Sequence, residues 1–313
     1  MSKKLFLGAA LGALLAVGAS APARADETYI PLISKGFQHQ FWQAVKLGAE
    51  QAAKAANVKI TFEGPETEAM VDKQIDMLSA ALAKKPTAIG FAALDSQAAI
   101  PLLKKAQAAK IPVVAFDSGV DSDIPVTTCT TDNLAAAALA ADKMAEAIGD
   151  AGEVGVVVHD QTSRTGIDRR DGFLQQMKAK HPKVTVVDVQ YGQGDHLKSA
   201  EIAKAMLQAH PSLKGIFGAN EGSVDGTVIG AKEMGKKIVI IGYDSGKEQK
   251  DSIRSGLMLG AITQNPIGIG EQCVKAAVMA IKGETVPKTI DTGFSWYDKS
   301  NINDPKIQAV LYQ

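Results

Sequence analysis

The chain has 313 residues, 34 basic against 34 acidic side chains, and 46% hydrophobic residues. A balanced charge with no basic block argues against nucleic acid or an anionic membrane surface as a partner. Two cysteines in a chain this long make no disulfide framework, and Cys129 and Cys273 read as two separate small buried side chains.

The pattern opens with a leader. Lys3 and Lys4 precede an apolar run from Leu5 to Val17, and Ala23-Arg24-Ala25 places small residues before a cut. This is a secretory signal over residues 1–25. Its apolar run is shorter than the ~20 residues of a spanning helix. The expected product is a soluble periplasmic chain beginning near Asp26, mildly acidic, and not inserted in the membrane.

From there strand-like and helix-like segments alternate. Residues 29–34, 58–63, 88–92 and 113–116 are short and apolar or β-branched, with helical patterns at 41–56, 69–84 and 96–110 between them. A β-branched run, Thr127-Thr128-Cys129-Thr130-Thr131, marks a break, and an Ala-rich helix follows at 134–148. The alternation resumes with strands at 154–159, 184–190, 215–219, 238–243 and 259–263, separated by helices at 165–180, 197–209, 222–234 and 247–255. Asn265-Pro266 then opens a late helix to Ile281, with Asn as cap and Pro at the first helical position.

Near-continuous apolar strands alternating with helices predict an α/β fold with parallel sheets covered on both faces. A βαβα series on each side of the break predicts two similar lobes joined by a hinge, with a ligand cleft between them. We expect a first lobe of 26–131 plus 265–292 and a second of 132–264 plus 293–313, crossing near Thr131, Gln264 and Thr292.

In open α/β sheets, ligands bind at the carboxyl ends of the strands. The polar residues there are Asp117, Asn220, Asp244 and Gln264, with His39, Phe41 and Trp42 after the first strand and Arg169 on the 165–180 helix. Asp and Asn after a strand also serve as helix caps. Gln264 has no such role, because Asn265 holds the capping place. Arg169 and Arg170 also fit a solvated face paired with Asp168 and Asp171. Phe41 and Trp42 are adjacent and so should not share one stripe; one is expected in the core and the other at the cleft.

Catalytic motifs are missing. The chain contains no dinucleotide loop, no phosphate loop, no nucleophile elbow and no His spacing suited to a metal. Neither an enzyme, a cofactor nor a metal is expected.

These residues resemble a known family, the periplasmic sugar-binding proteins of ABC transporters, of the ribose-binding type. The resemblance runs over the whole mature chain. It rests on Phe41-Trp42, Val113-Val114-Ala115-Phe116-Asp117, Arg169-Arg170-Asp171-Gly172-Phe173, Phe217-Gly218-Ala219-Asn220, Ile241-Gly242-Tyr243-Asp244 and Gln264. It implies the type 1 periplasmic binding fold, an aromatic sandwich from Phe41 and Trp42, and sugar contacts from Asp117, Arg169, Asn220, Asp244 and Gln264. His39 stands where ribose-binding members often carry Asn. The chain departs from the ribose pattern at Ser118, where Arg is common, at Gly194, where an aromatic is expected, and at Lys35 and Gln38, which lack counterparts. These departures bear on which sugar is bound.

The implied function is capture of a monosaccharide or related polyol and its delivery to an ABC permease, by a monomer. Hydroxyls need both donors and acceptors, which Asp, Asn, Gln and Arg supply together. A chemotaxis or signal-molecule receptor would use the same fold and cleft, as would a periplasmic sugar enzyme. LacI-type regulators resemble the same core, but they would begin with a helix-turn-helix where this chain has a secretory signal.

Overall fold

A computed structural model describes residues 27–312; the expected signal at 1–25 lies outside the described residues. The first run of elements is β1 (Tyr29–Ile33), α1 (Gln40–Ala56), β2 (Lys59–Glu63), α2 (Val71–Ala83), β3 (Ile89–Phe91), α3 (Ile100–Ala108), β4 (Val113–Phe116) and β5 (Thr127–Thr130). The second run is α4 (Asn133–Ile148), β6 (Gly152–Val158), α5 (Arg164–Lys180), β7 (Val184–Tyr191), α6 (His196–Ala209), β8 (Leu213–Gly218), α7 (Glu221–Glu233), β9 (Val239–Tyr243), α8 (Lys247–Ser255) and β10 (Gly260–Gln264). It is followed by α9 (Pro266–Ile281), β11 (Thr289–Asp291), β12 (Phe294–Asp298) and α10 (Pro305–Gln308). No helix among the described residues is long and apolar enough to cross a membrane.

The strands form two six-stranded sheets, ordered β11-β5-β4-β3-β1-β2 and β12-β10-β9-β8-β6-β7. Every pairing is parallel except β12, which runs antiparallel to β10. The expected parallel sheets are present, with this one antiparallel strand added at an edge. Three strands lay outside the sequence reading: β5, read as a break, and the late β11 and β12. All three are short, and none is the continuous apolar run that identifies a strand buried on both faces.

Each sheet reverses its winding beside its first strand, between β1 and β3 and between β6 and β8. A crevice opens at the carboxyl ends of the strands at such a switch point. Apolar side chains cover both faces. In the first sheet Ile30, Leu32 and Val114 pack against α1 and α9, while Ile33, Ile89 and Phe91 pack towards α2 and α3. In the second, Val156 and Phe217 meet α4 and α5, and Val157 and Ile216 meet α6 and α7.

The late helix α9 lies on the first sheet, clamped to α1 by a close approach. A Cβ on Gly48 would fall 2.0 Å from the Ile267 carbonyl oxygen, and one on Gly270 would fall 1.9 Å from that of Val45. Only glycine lets the two backbones come this near. The chain passes between the sheets at three places: β5 to α4, β10 to α9, and β11 to β12. The passages are tied together, since Thr131 Oγ1 donates to Gln264 Oε1 at 2.9 Å and the Thr292 N–H to the Thr130 carbonyl at 2.9 Å.

Candidate functional site

All eight residues singled out in the sequence surround one narrow cavity of about 20 Å³ between the sheets. Asp117 follows β4 and Asp244 follows β9, equivalent places in the two sheets. Both have left-handed backbones, with φ of 57° and 84°. Their N–H groups bond to the neighbouring strand, Asp117 to the Cys129 carbonyl at 2.8 Å and Asp244 to that of Ile262 at 2.6 Å. Asp tolerates this conformation better than most residues, and such strain collects at functional sites.

The two carboxylates differ in their partners. Asp244 accepts from Gln264 Nε2 at 2.7 Å and from the Glu221 N–H at 3.1 Å. Asp117 is 4% exposed, and its Oδ1 has no partner.

Arg169 and Arg170 part company. Arg169 is buried, with Nε donating to Asn133 Oδ1 at 2.8 Å and Nη1 to the Ala219 carbonyl at 3.0 Å. Its guanidinium lies 3.8 Å from the Tyr243 ring centre. Arg170 takes the surface reading and bonds Asp171 and Tyr191. Asn220 is a cap that also lines the cavity: its Oδ1 caps α7 by accepting from the Ser223 N–H at 2.9 Å, and its Nδ2 faces Glu68 Oε2 at 3.4 Å.

Phe41 and Trp42 do not divide between core and cleft as expected. Both are buried and both line the cavity, their rings 5.0 Å apart and close to perpendicular. They occupy the first turn of α1, where the second lobe covers the helix end, so side chains beyond a single stripe are enclosed. Trp42 Nε1 donates to Glu68 Oε1 at 2.8 Å.

Four lining residues lay outside the selected set: Lys35, Glu68, His159 and Thr165. His159 follows β6, and the strand-end rule could have found it. Lys35 had been noted only for lacking a counterpart. It is 2% exposed and reaches across to Asp160 Oδ2 at 3.5 Å, Ser163 Oγ at 3.2 Å and Thr165 Oγ1 at 3.2 Å. Glu68 sits in the loop after β2, where no local pattern distinguishes it. At Gly194, where an aromatic was expected, a Cβ would already stand 3.1 Å from both Glu68 Oε2 and His39 Nε2. These two side chains occupy the wall that the aromatic would form.

Electrostatics separate the groups. Burial pushes Asp117 up to about 6, against the pull of Lys35 and Arg169. Burial would raise Glu68 too, but the charge of Lys35 above all, with the Trp42 N–H bond, holds it below its ordinary value. Burial, aided by Lys35, drives His159 down to about 3, and burial also lowers His39. Both imidazoles are therefore neutral near pH 7, and each leaves Nδ1 buried without a partner. A small space, edged by the unpaired Asp117 Oδ1, two unpaired imidazole Nδ1 atoms and two aromatic rings, suits a compact molecule carrying hydroxyls and C–H faces.

Comparison with known proteins places the chain among receptors. The profile of the family described as periplasmic binding protein domain matches residues 30–285. The D-allose-binding periplasmic protein of Escherichia coli K12 is 27% identical over 295 residues, which span 91% of this chain and 93% of the relative. A carbohydrate transporter solute-binding protein from Agrobacterium radiobacter, solved with D-arabinose, has a TM-score of 0.88 at 32% identity. That similarity covers 92% of this chain and 99% of the other. A solute-binding protein from Agrobacterium vitis, bound with α-D-tagatopyranose, has a TM-score of 0.88 at 34% identity and covers 92% and 100%.

Proposed function

Because this chain belongs to the periplasmic binding protein family, we propose that it captures a monosaccharide or related polyol and delivers it to the membrane permease of an ABC transporter. The observation that carries this reading is the convergence of His39, Phe41, Trp42, Asp117, Arg169, Asn220, Asp244 and Gln264 on one cavity where Asp117 Oδ1 and two imidazole Nδ1 atoms have no partner. The rings of Phe41 and Trp42 touch edge to face and leave no gap between them, so in this proposal the pair covers one C–H side of a sugar ring and does not sandwich it. Asp117 and Asp244 accept from its hydroxyls, while Arg169 and Asn220 donate to its oxygens.

Residues 1–25 act as a cleaved export signal, and the mature chain works as a periplasmic monomer. The lobes, 26–131 plus 265–292 and 132–264 plus 293–313, rotate about the three passages. A ligand bonded to both lobes favours the closed state over the open one. Similar solved structures support this reading: three of them hold D-arabinose, α-D-tagatopyranose and D-fucose.

A thermal-shift panel tests it. Pentoses, hexoses, sugar alcohols and inositols would each be added to the purified mature protein. A true ligand at a hundred times its dissociation constant adds about 2.7 kcal/mol of stability, a shift of several degrees. A panel in which no sugar or polyol moves the melting point, with no heat of binding by calorimetry, would sink the proposal.

A further inference from the structure

Helix α1 has no cap of its own. His39 holds the N-cap position with extended backbone, but its side chain makes no capping bond. The leading N–H groups of a helix need partners, and here they find them across the cleft. The Gln40 N–H donates to Glu221 Oε1 at 3.0 Å and the Phe41 N–H to Glu221 Oε2 at 3.2 Å. Glu221 opens α7, on the other sheet, and is 4% exposed.

Tyr312 completes the arrangement. Its hydroxyl donates to Glu221 Oε2 at 3.0 Å and accepts from the Ser245 N–H at 3.0 Å. Its ring stands 6.2 Å from that of Phe41. The exchange is reciprocal, since Gln40 Oε1 accepts from the Lys247 N–H, at the start of α8, at 2.9 Å. Each lobe therefore supplies the end of a helix in the other with a missing partner. Opening the cleft would strip these bonds from both.

We propose that Glu221, itself held by the Tyr312 hydroxyl, is a positioning residue that caps α1 across the cleft only when the lobes are shut and thereby holds Phe41 and Trp42 against the sugar. The proposal rests on reading the aromatic pair as sugar contacts. A carboxylate at a helix N-terminus gains from the helix dipole as well as from the N–H bonds. That gain exists in the closed state alone, which is what a ligand-driven closure requires.

The test uses Glu221→Gln and Tyr312→Phe, each in mature protein carrying spin labels at Lys73→Cys and Lys198→Cys, on exposed positions of opposite lobes. Both native cysteines are buried and stay unlabelled. Distances between labels would be measured without sugar and with saturating D-arabinose or D-tagatose, together with the dissociation rate of the sugar. Glu221→Gln is expected to keep the sugar-free melting point of the wild type and Tyr312→Phe to lower it, since the buried Ser245 N–H loses its acceptor; both should show a smaller closed fraction and release sugar about tenfold faster or more. Closed fractions and release rates equal to wild type would overturn the latch. If neither sugar closes the wild type, the sugar that raises its melting point in the thermal-shift panel takes their place. With that sugar bound, faster hydrogen exchange at the Phe41 amide in Glu221→Gln supports the latch, and unchanged exchange overturns it.

Discussion

Asp117 and Asp244 occupy matching places yet carry different burdens. Asp244 is held by Gln264 and by the Glu221 N–H, so removing it disturbs the fold as well as the cavity. Asp117 Oδ1 bonds to nothing, which makes Asp117 the cleaner probe of binding. Asp117→Asn is expected to keep or slightly raise sugar-free stability, because it removes a buried charge. It should weaken sugar binding by ~1–3 kcal/mol, or about ten- to hundredfold. Binding should also depend on pH. Burial in the shut, empty cleft holds the carboxyl at about 6, and hydroxyl bonds to its ionised form lower it again, so a sugar that fills the shut cleft releases a proton. Affinity is expected to rise from about pH 5 to about pH 7 and then level off. For sugar-free stability the sign is reversed: a raised carboxyl stabilises the fold below its unfolded value and loses that contribution as pH climbs through about 6. Calorimetry at several pH values checks this, with Asp117→Asn expected to be insensitive; a wild type flat over the same range refutes it. Asn220 shows why strand-end residues were ambiguous in the sequence, since one amide both caps α7 and faces the cavity.

The pairing of α1 with α9 ties the late chain to the first sheet, and it depends on two glycines. Glycine inside a helix ordinarily costs ~0.5–1 kcal/mol relative to alanine, so Gly48→Ala would stabilise a free helix. Here the added Cβ would meet the Ile267 carbonyl oxygen at 2.0 Å and its carbon at 2.7 Å, backbone atoms that give way only if the helices part. Overpacking of this kind costs ~1–3 kcal/mol and outweighs the gain. Gly48→Ala and Gly270→Ala are both expected to lower the denaturation midpoint; a rise in either would show that the helices separate freely. The cap that starts α9 was legible, and Asn265 Oδ1 does accept from the Gly268 N–H at 2.9 Å behind Pro266. The docking of α9 was not, because the apolar stripe of a helix does not say which sheet it will cover. The edge strands β11 and β12 were equally silent, being short and partly exposed.

Closure joins these parts into one device. Lys35, Gln38, Glu68 and the start of α1 all bond residues of the second sheet, and the three passages between sheets are hydrogen-bonded to one another. With lobes that rotate about those passages, a saturating sugar should reduce the radius of gyration in small-angle scattering. Superimposable curves with and without a ligand already confirmed by calorimetry would rule out the hinge. The alternation of strand and helix, the division near Thr131, the start of α9 and eight residues of the cavity could all be read from the chain itself. Each is set by a local period, by a cap and its neighbours, or by the rule that α/β sheets gather ligand groups at strand ends. The remaining contacts belong to the tertiary structure. Lys35 meets Asp160 across 125 residues and Phe41 meets Glu221 across 180, and no sequence period spans such separations. Whether a buried ammonium, a neutral imidazole or an uncapped helix end is tolerated depends on what the other lobe brings to it, and only the folded, closed chain supplies that partner.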